Sequence, residues 1–333
     1  MPTMREVAHR AQVSTTTVSH VINNTRYVSD DVRSRVVHAM QELGYRPNAL
    51  ARSLRRGKTF TIGLILPDSA NPFFAEIGRH IEAAAFHSGY NVILCNTEGE
   101  YEREQIYVDL LIKKQVDGFI FVAAGDKSES LQSLLKENIL VVLIDRQIPG
   151  TNVDVVLTAN RQGGYLATQY LVGLGHTRIA FLAGPSNVHP SAERKTGYLQ
   201  ALQDEGLFRD DRLIAAGNFR VDSGHKIVRD LLTLEEPPTA IFCANDLMAI
   251  GAIRAAGEKG LRVPENISIV GFDDIELASY TTPALTTIRQ PISLMAKNAV
   301  GLLIERTKEN IKPPRIITLE NELIIRDSTG PCL

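Results

Sequence analysis

Side chains suited to binding a small polar ligand follow the apolar runs that recur beyond residue 60 of this 333-residue sequence. They combine aromatic rings, carboxylates, guanidinium groups and amides. Rings pack against apolar C–H faces and forked polar groups bind paired hydroxyls, which is the combination that sugars need. The residues concerned are Asn71, Phe73, Phe74, Asp145, Arg146, Arg194, Phe219, Asn245, Asp246, Phe272, Asp273 and Gln290.

At any single one of these positions a simpler explanation competes. An Asp or Asn often caps the next helix, and a Phe often fills the core. For Asn245 and Asp246, which stand at a predicted helix start, capping is the better explanation of each residue taken alone. Coincidence would have to supply ligand-type residues after nearly every apolar run, however, so the whole set favours a binding site.

A second group of residues suited to recognition lies in the segment TTTVSHVI. Val18, Val21 and Ile22 form an apolar face at helical spacing, and a short predicted helix precedes this one by about three residues. That arrangement predicts a helix-turn-helix. Short hydroxyl side chains let a helix sit deep in the major groove of DNA, where they meet base edges and thymine methyl groups. The non-core face carries Thr15, Thr16, Thr17, Ser19 and His20.

The charge of the sequence is divided unevenly along its length. The whole chain has a formal net charge of −2. Residues 1–60 contain ten Lys or Arg and four Asp or Glu, so they carry +6 and the remaining residues carry −8. A basic arm on an acidic body is typical of proteins that bind nucleic acid or a membrane surface. Together with the hydroxyl-rich helix, this charge favours DNA over the alternative that Ser and Thr merely cap a solvated helix.

The segment PNALARSLRRGK at residues 47–58 predicts a short basic helix. A Pro-Asn pair provides its start and Gly57 its end. Because the segment is too short to be stable alone in water, it should be helical only when a partner chain or DNA holds it. Leu50 and Leu54 stand four residues apart on this helix. They are consistent with a dimer contact, with a wedge in a minor-groove base step, or with a solvated linker.

The apolar runs themselves predict the fold of the body. Runs such as FTIGLIL, NVILCNT and ISIVGFD alternate with helical stretches, and buried parallel strands have this continuous apolar character. The sequence therefore predicts an α/β core with parallel sheets, and a length of about 270 residues predicts two lobes. Ligands of open α/β sheets bind beyond the carboxyl ends of the strands, which is where the polar side chains stand.

The N-terminal segments resemble the lactose-repressor (LacI) family of bacterial transcription regulators. The strings TMREVAHRAQVSTTTVSHVINNTRYVS and GYRPNALARSL match the family nearly without gaps through residues 3–58. The resemblance implies that the hydroxyl-rich helix reads the major groove, and that a homodimer binds an approximately palindromic double-stranded DNA operator.

The same resemblance carries roles over to further residues. Arg26 matches the loop arginine of the family, and Leu54 matches its minor-groove leucine. Phosphate anchoring would fall to Asn23 and Tyr45. The implied DNA contacts are Thr15, Thr16, Thr17, Ser19, His20, Asn23, Arg26, Tyr45, Ala51, Leu54 and Arg55.

The body resembles the effector domain of the family, which is similar to periplasmic sugar-binding proteins. Set against ribose-binding members, the motifs N-P-F-F, D-R-Q, N-D and G-F-D occur in order within residues 71–290, and VILCNTEGE is most similar to ribose operon repressors. The resemblance implies that a small sugar, ribose or a related monosaccharide, binds between the lobes. The implied contacts are Asn71, Phe73, Phe74, Asp145, Arg146, Arg194, Phe219, Asn245, Phe272, Asp273 and Gln290.

Purine-responsive members of the family provide the alternative effector. They match the DNA-binding segment about equally well, but Val188 and Pro190 stand where those members use Arg and Thr for a purine. The expected effector is therefore a sugar, with a purine or another small molecule as the alternative.

The expected organisation has three parts. A helix-turn-helix domain at residues 1–46 is followed by the hinge helix at 47–58 and by a two-lobed sugar-binding and dimerisation domain at 59–333. Family architecture implies that the chain crosses between the lobes near Asn160, Gln290 and Glu320. The first lobe would contain residues 60–159 and 291–320, and the second would contain 160–290 and 321–333.

Other functional classes find little support in the residues. Gly57-Lys58-Thr59 mimics the end of a phosphate loop, but Arg52 stands where the first glycine belongs. No serine has nucleophile-elbow spacing and the histidines have no metal-ligand spacing, so we expect neither an enzyme nor a cofactor or metal. A sugar-binding receptor without DNA activity is opposed by the basic arm and by charged first residues, which also predict a cytoplasmic protein. No apolar run approaches membrane-spanning length.

Overall fold

The computed structural model describes residues 2–45, 58–122, 129–308 and 313–332, and the chain divides into two compact units, Met1–Thr59 and Phe60–Leu333. Most of the predicted hinge helix lies outside the described residues. Its helical state, and the roles of Ala51, Leu54 and Arg55, therefore stay predictions.

The first unit contains three short helices around a small core. They are α1 (Met4–Ala11), α2 (Thr15–Asn23) and α3 (Asp30–Glu42). The residues that fill the core are Val7, Ala8, Ala11, Val18, Val21, Val36 and Ala39. Because the connection between α1 and α2 is only three residues long, the predicted helix-turn-helix is confirmed.

The helix starts of this unit follow the capping rules in two cases of three. Thr3 and Glu6 form a capping box at α1. At α2, the Ser14 hydroxyl accepts a hydrogen bond from the amide of Thr17 at 3.0 Å. Ser29 stands at the N-cap of α3, but its side chain makes no capping hydrogen bond. Two aspartates in the first turn of α3 complement the helix dipole instead.

The first lobe of the second unit is built on six strands that are parallel throughout. The strands are β1 (Thr61–Leu66), β2 (Asn91–Asn96), β3 (Gly118–Phe121), β4 (Val141–Ile144), β5 (Asp154–Thr158) and β11 (Ile316–Leu319). They lie in the order β2-β1-β3-β4-β5-β11. This is the doubly wound arrangement that continuous apolar runs predict.

The second lobe repeats this plan with one exception. Its strands are β6 (Ile179–Ala183), β7 (Ile214–Ala216), β8 (Ala240–Cys243), β9 (Ser268–Asp273), β10 (Thr286–Arg289) and β12 (Glu322–Ile324). They lie in the order β7-β6-β8-β9-β10-β12, and only the pairing of β10 with β12 is antiparallel. The predicted two-lobed α/β core with parallel sheets is confirmed.

Helices cover the sheets of both lobes. They are α4 (Pro72–His87), α5 (Tyr101–Lys113), α6 (Glu129–Lys136), α7 (Asn160–Gly173), α8 (His189–Asp204), α9 (Val221–Leu231), α10 (Asp246–Glu258) and α11 (Ile292–Lys308). None of these described helices, and none in the first unit, combines the length and apolar character that crossing a membrane requires.

The chain passes between the two sheets at three crossover segments. The first joins β5 to α7, the second joins β10 to α11, and the third joins β11 to β12. The first and third lie side by side, because the amide of Ala159 donates to the carbonyl of Leu319 at 2.9 Å and the Asn321 side chain donates to the carbonyl of Ala159 at 3.1 Å. Any change in the angle between the lobes must therefore be absorbed near these residues.

Candidate DNA-binding helix and effector cleft

Helix α2 presents a hydroxyl-rich face to solvent. Thr15 and Thr16, in its first turn, are exposed, while Val18 and Val21 on the opposite side are buried. The half-buried members of the predicted set are Thr17, Ser19, His20 and Asn23. The first turn of a recognition helix supplies the base contacts in helix-turn-helix proteins, so Thr15 and Thr16 are the best placed of these residues.

Hydrogen bonds within the unit orient the remaining side chains of this face. The Thr17 hydroxyl lies 2.9 Å from that of Ser14, and Nδ1 of His20 lies 2.8 Å from the Thr25 hydroxyl. The Asn23 amide donates to the carbonyl of Ser19 at 2.9 Å. These bonds restrict the rotamers of the side chains involved, so a partner that binds this face would cost them less conformational entropy.

Two residues beyond α2 complete the described part of the predicted DNA surface. Arg26 is exposed in the loop that follows, and Tyr45 packs partly against the small core. Tyr27, which neighbours Arg26 in the same loop, is also exposed, at 92% of its side chain.

Most of the net positive charge of the basic arm lies in the hinge segment, residues 46–58, and little of it lies in residues 2–45, which contain the three helices. Residues 2–45 contain five arginines and four acidic residues, whereas residues 46–58 contain five basic residues and no acid. Within the described helices, Arg10 pairs with Glu42 at 2.8 Å and Arg35 pairs with Asp31 at 3.3 Å. From this distribution we expect residues 46–58 to provide most of the attraction to phosphates and α2 to provide the base contacts, as the sequence predicts.

A cleft of about 530 Å³ lies between the two lobes of the second unit. Its walls are loops that follow strands of both sheets, as the strand-end rule predicts. Its volume lies within the range of roughly 300–1,000 Å³ that is common for small-molecule sites. The structure brings nine of the eleven predicted effector contacts to its lining, namely Asn71, Phe73, Phe74, Asp145, Arg146, Arg194, Phe219, Asn245 and Asp273.

The wall contributed by the first lobe combines two aromatic rings with an ion pair. Asn71 caps α4, since its side chain accepts a hydrogen bond from the amide of Phe73 at 3.1 Å. The rings of Phe73 and Phe74 meet edge to face with centroids 5.1 Å apart. Asp145 and Arg146 are both buried, and their carboxylate and guanidinium groups lie 3.3 Å apart. Rings and charged groups thus face the same space.

Arg194 is the buried cation of the second lobe, and close helix packing positions it. A Cβ atom at Gly164 of α7 would collide with the carbonyl of Arg194, and one at Gly197 of α8 would collide with the carbonyl of Arg161. Two glycines therefore let α7 and α8 approach closely. The Arg194 guanidinium donates to Asn160 at 2.8 Å and to the carbonyl of Ala244 at 2.5 Å.

Asp273 is the carboxylate that faces this cation. Its Oδ1 atom lies 3.6 Å from Nη1 of Arg194 and accepts a hydrogen bond from the Gln290 amide at 2.8 Å. Burial raises the pKa of the Asp273 carboxyl to about 7, although Arg194 and Gln290 oppose that shift. Burial also lowers the pKa of Arg194, and Asp273 opposes it. The φ angle of 116° at Asp273 marks a strained backbone of the kind found at binding sites.

Phe219 and Asn245 form a linked part of the wall. Asn245 caps α10, because its side-chain oxygen accepts from the amide of Met248 at 3.1 Å. Its side-chain nitrogen donates to the carbonyl of Phe219 at 3.0 Å, and Phe219 has a left-handed φ of 64°. The capping explanation is therefore right for Asn245, and the same side chain also lines the cleft and holds Phe219.

Three residues of the predicted binding set do not line the cleft but lie behind its surface, namely Phe272, Gln290 and Asp246. This corrects the expectation that they contact the effector directly. Phe272 is fully buried beneath Arg194, with the guanidinium carbon 3.7 Å from the ring centroid. Gln290 is buried and reaches the site only through Asp273. Asp246 is fully buried and accepts hydrogen bonds from the amide of Ile275 and the hydroxyl of Thr287. Each of the three contacts residues that line the cleft or that belong to the sheet and loops below it.

Sequence reasoning missed several lining residues. Asp68 of the first lobe and Arg220 of the second are 3.5 Å apart and bridge the two lobes. Each stands beside a predicted residue in the same loop, which was the available signal. The missed residues include Asp68, Glu98, Pro185, Asn218, Arg220 and Leu247.

Within the part of the chain that the structure describes, no three His, Cys, Asp or Glu residues are grouped to hold a metal ion.

The raised pKa of Asp273 predicts that effector affinity depends on pH. A ligand that donates hydrogen bonds to this carboxyl group binds its ionised form, so affinity should increase between pH 5 and about 7 and level off above. In the protein without effector, the folded state holds the Asp273 proton more tightly than the unfolded chain does. The resulting stabilisation is present at low pH and is lost as the pH rises to about 7. Calorimetric titrations from pH 5 to 8.5 measure the first effect. A pH-independent affinity, or the same slope in Asp273→Asn, would refute this origin.

Comparisons with known proteins agree with this division of the chain into two units. The model for "Bacterial regulatory proteins, lacI family" matches residues 3–48. The model for "Periplasmic binding proteins and sugar binding domain of LacI family" matches residues 59–323. Both domains are therefore recognised over nearly their whole described length.

Individual relatives extend these matches over the whole chain. The HTH-type transcriptional repressor PurR of Vibrio atlanticus (strain LGP32) is 41% identical over 330 residues, which is 98% of each chain. The lac repressor dimer bound to operator and the anti-inducer ONPF has a TM-score of 0.89 at 30% identity over 99% of each chain. A LacI family transcriptional regulator from Enterococcus faecium with bound ribose has a TM-score of 0.75 at 31% identity, over 82% of this chain and 100% of that one.

Proposed function

This chain belongs to the LacI family of bacterial regulatory proteins, and we propose on that premise that it represses transcription from an operator under the control of a small molecule held in the interlobe cleft. It is a DNA-binding repressor with a ligand-binding domain, and it is not an enzyme. A receptor without DNA activity, the alternative class considered from the sequence, is set aside because the helix-turn-helix is part of the family match.

One observation carries the proposal of small-molecule control. A buried cation and a buried carboxylate, Arg194 and Asp273, meet 3.6 Å apart at a cleft of about 530 Å³. Burying charges is costly unless they are paired, and pairing at a cleft surface serves a polar ligand better than it serves stability. The same chain carries the exposed threonines of α2, so recognition of DNA and of a ligand are joined in one molecule.

The comparisons favour a purine as the effector. Curated relatives that match 98% of the chain bear the name PurR, among them one at 41% identity, whereas the ribose-bound structure is 31% identical. A purine base is planar and would require apolar groups above and below its ring, which the aromatic residues Phe73, Phe74 and Phe219 could supply.

The chemistry of the cleft favours a monosaccharide as the second candidate. Carboxylates and guanidinium groups approach the space from both lobes, and hydroxyls on every face of a sugar can use donors and acceptors in all directions. Val188 and Pro190, which replace the polar residues expected for a purine, line the cleft in the structure. Apolar side chains at these positions leave the edge of a purine without hydrogen-bond partners.

Direct binding decides between the two candidates. Isothermal titration calorimetry of the full chain with D-ribose, other pentoses and hexoses, adenine, guanine and hypoxanthine compares both classes under one condition. The effector should bind the wild type, bind Asp273→Asn weakly, and change operator affinity. Saturable binding of purines alone would reject the sugar, and the reverse result would reject the purine. Absence of binding by every member of the panel would contradict both.

Ligand and operator should be thermodynamically linked. We propose that the lobes close around the ligand, that closure changes the crossover segments, and that this change alters the spacing of the two basic hinge segments of a dimer. If the effector weakens operator binding by a given factor, the operator must weaken effector binding by the same factor, and coupling of this kind is typically about 5- to 150-fold. Effector titrations with and without saturating operator measure the factor.

The control for this linkage is a DNA duplex of scrambled sequence at the same salt concentration. It should change effector affinity by less than about twofold, because binding without sequence readout rests mainly on phosphates. Equal effector affinities in the presence and absence of operator would reject allosteric control.

Since operator binding requires access to chromosomal DNA, we also propose that the homodimer acts in the cytoplasm.

A further inference from the structure

A chain of hydrogen bonds connects the first crossover segment to the effector cleft. The Thr158 hydroxyl donates to Oε1 of Gln290 at 2.6 Å, and Nε2 of Gln290 donates to Oδ1 of Asp273 at 2.8 Å. All three residues are buried. Thr158 ends β5 of the first lobe, whereas Asp273 ends β9 and Gln290 follows β10 of the second lobe, so this chain of hydrogen bonds spans both lobes.

The direction of the first bond determines how the Gln290 amide is turned. A side-chain amide presents an acceptor on one side and donors on the other. Because the Thr158 hydroxyl hydrogen is directed at Oε1, the NH₂ group faces Asp273. Among the described residues, Oε1 of Gln290 accepts the hydrogen bond from this hydroxyl. Turning the amide over would remove that acceptor from the buried hydroxyl group. Such a loss is unfavourable in a protein interior.

Arg194 is held by the same crossover segment. Its Nε atom donates to Oδ1 of Asn160 at 2.8 Å, and Nδ2 of Asn160 donates to the carbonyl of Thr158 at 3.2 Å. The two bonds of Asn160 fix its amide as firmly as those of Gln290. Thr158 and Asn160, two residues apart, therefore orient the anion and the cation of the cleft.

We propose that Thr158 is a positioning residue for the effector site, whose hydroxyl holds the Gln290 amide in the orientation that presents a donor to Asp273 and so keeps Asp273 an acceptor for hydrogen bonds from the effector. The inference rests on the proposed function for the identity of the site, and it adds a property of the ligand. The atom of the effector that meets Asp273 must be a hydrogen-bond donor, a hydroxyl or an N–H group. Both candidate classes contain such groups.

The inference predicts a change in the ionisation of Asp273 when the hydroxyl is removed. Without it the Gln290 amide turns freely, and the orientation with Oε1 towards Asp273 stabilises the protonated carboxyl group. The pKa of Asp273 should then rise by roughly half a unit to one unit in Thr158→Val, which is the size expected from one hydrogen bond. The other groups that face Asp273 stay unchanged, namely Arg194 on α8, Asp145 and Arg146 after β4, Glu76 on α4 and Asp246 on α10.

The test is a carbon-13 NMR titration of aspartate carboxyl groups in the full chain without ligand. The Asp273 signal is identified by its loss in Asp273→Asn. Thr158→Val should shift the titration midpoint upward, whereas Thr158→Ser, which keeps the hydroxyl, should titrate like the wild type. Thermal unfolding of each variant checks the fold, and Thr158→Ala replaces the valine variant if that variant does not fold.

Two results would overturn the proposal. One is a midpoint in the valine variant that equals that of the wild type, and the other is a serine variant that shifts as far as the valine variant. Because this titration uses no effector, its outcome is independent of whether a sugar or a purine binds. For the effector found by calorimetry, Thr158→Val should also lower affinity about two- to fivefold at pH 7, the factor by which this shift reduces the ionised fraction of Asp273. The effect should be smaller at pH 8.5, where Asp273 is mostly ionised in both proteins.

Discussion

Asp273→Asn should reduce effector affinity at least 100-fold at pH 8 while operator affinity without effector changes less than about twofold. A hundredfold loss corresponds to about 2.7 kcal/mol, which lies within the range for removing one partner of a buried charged hydrogen-bond network. Asparagine keeps the shape of the side chain but presents an NH₂ group where the carboxylate accepts hydrogen bonds. Effector calorimetry and operator titration measure the two affinities separately.

The stability of the same variant separates a binding role from a structural one. Burial raises the pKa of Asp273 to about 7, so the ionised carboxyl group is unfavourable in the folded protein at pH 8. Replacing it by a neutral amide removes that cost but leaves the buried Arg194 without its nearest facing carboxylate, so the two effects oppose and the unfolding temperature should change little.

Asp274→Asn is the matched control. The neighbouring Asp274 carboxylate binds Arg289 at 2.7 Å and Arg326 at 2.6 Å, and it does not line the cleft. Its substitution should lower the unfolding temperature and leave effector affinity nearly unchanged. If Asp273→Asn behaved like this control, losing stability but not affinity, the assignment of the cleft would be wrong.

The second large effect is expected on DNA. The double substitution Thr15→Ala and Thr16→Ala should lower affinity for the operator by roughly 2–6 kcal/mol, taking about 1–3 kcal/mol for each good base contact. Affinity for random DNA should stay near that of the wild type, because residues 46–58 carry five basic residues and no acid. Titrations against a selected operator and a scrambled duplex, at several salt concentrations, give both values.

Ser34→Ala provides the control for this pair. Ser34 is an exposed hydroxyl residue of α3, outside the predicted contact set. It should change neither affinity, and the slope of affinity against salt should be the same in all three proteins. An equal loss on operator and random DNA in the threonine variant would show that these residues contribute no sequence readout.

The residues at the strand ends predicted much of the chemistry of the cleft, but they and the comparisons point to different effector classes. The strand-end side chains favour a monosaccharide, while relatives that cover the whole chain bear the name PurR. The two indications differ because overall identity reflects the fold and the DNA-binding unit as well as the cleft. Effector specificity depends on a few lining positions such as Val188 and Pro190.

The sequence by itself determined the fold class and the location of the candidate sites. Continuous apolar runs predict buried parallel strands, and every such strand points its carboxyl end to one edge of its sheet. The polar residues after those runs had to share that edge. The spacing of Val18 and Val21 likewise determined which face of α2 is exposed. These are local properties, since strand and helix periods decide them.

Only the tertiary structure decided which of these side chains reach the cleft and which support it. Phe272 and Asp273 are adjacent in sequence, yet one lies beneath Arg194 and the other faces the cleft. Alternation along β9 and the close packing of α7 on α8 produce that difference. The bond between Thr158 and Gln290 joins residues 132 positions apart. No local pattern encodes it, because it exists only where the crossover segments of two lobes meet.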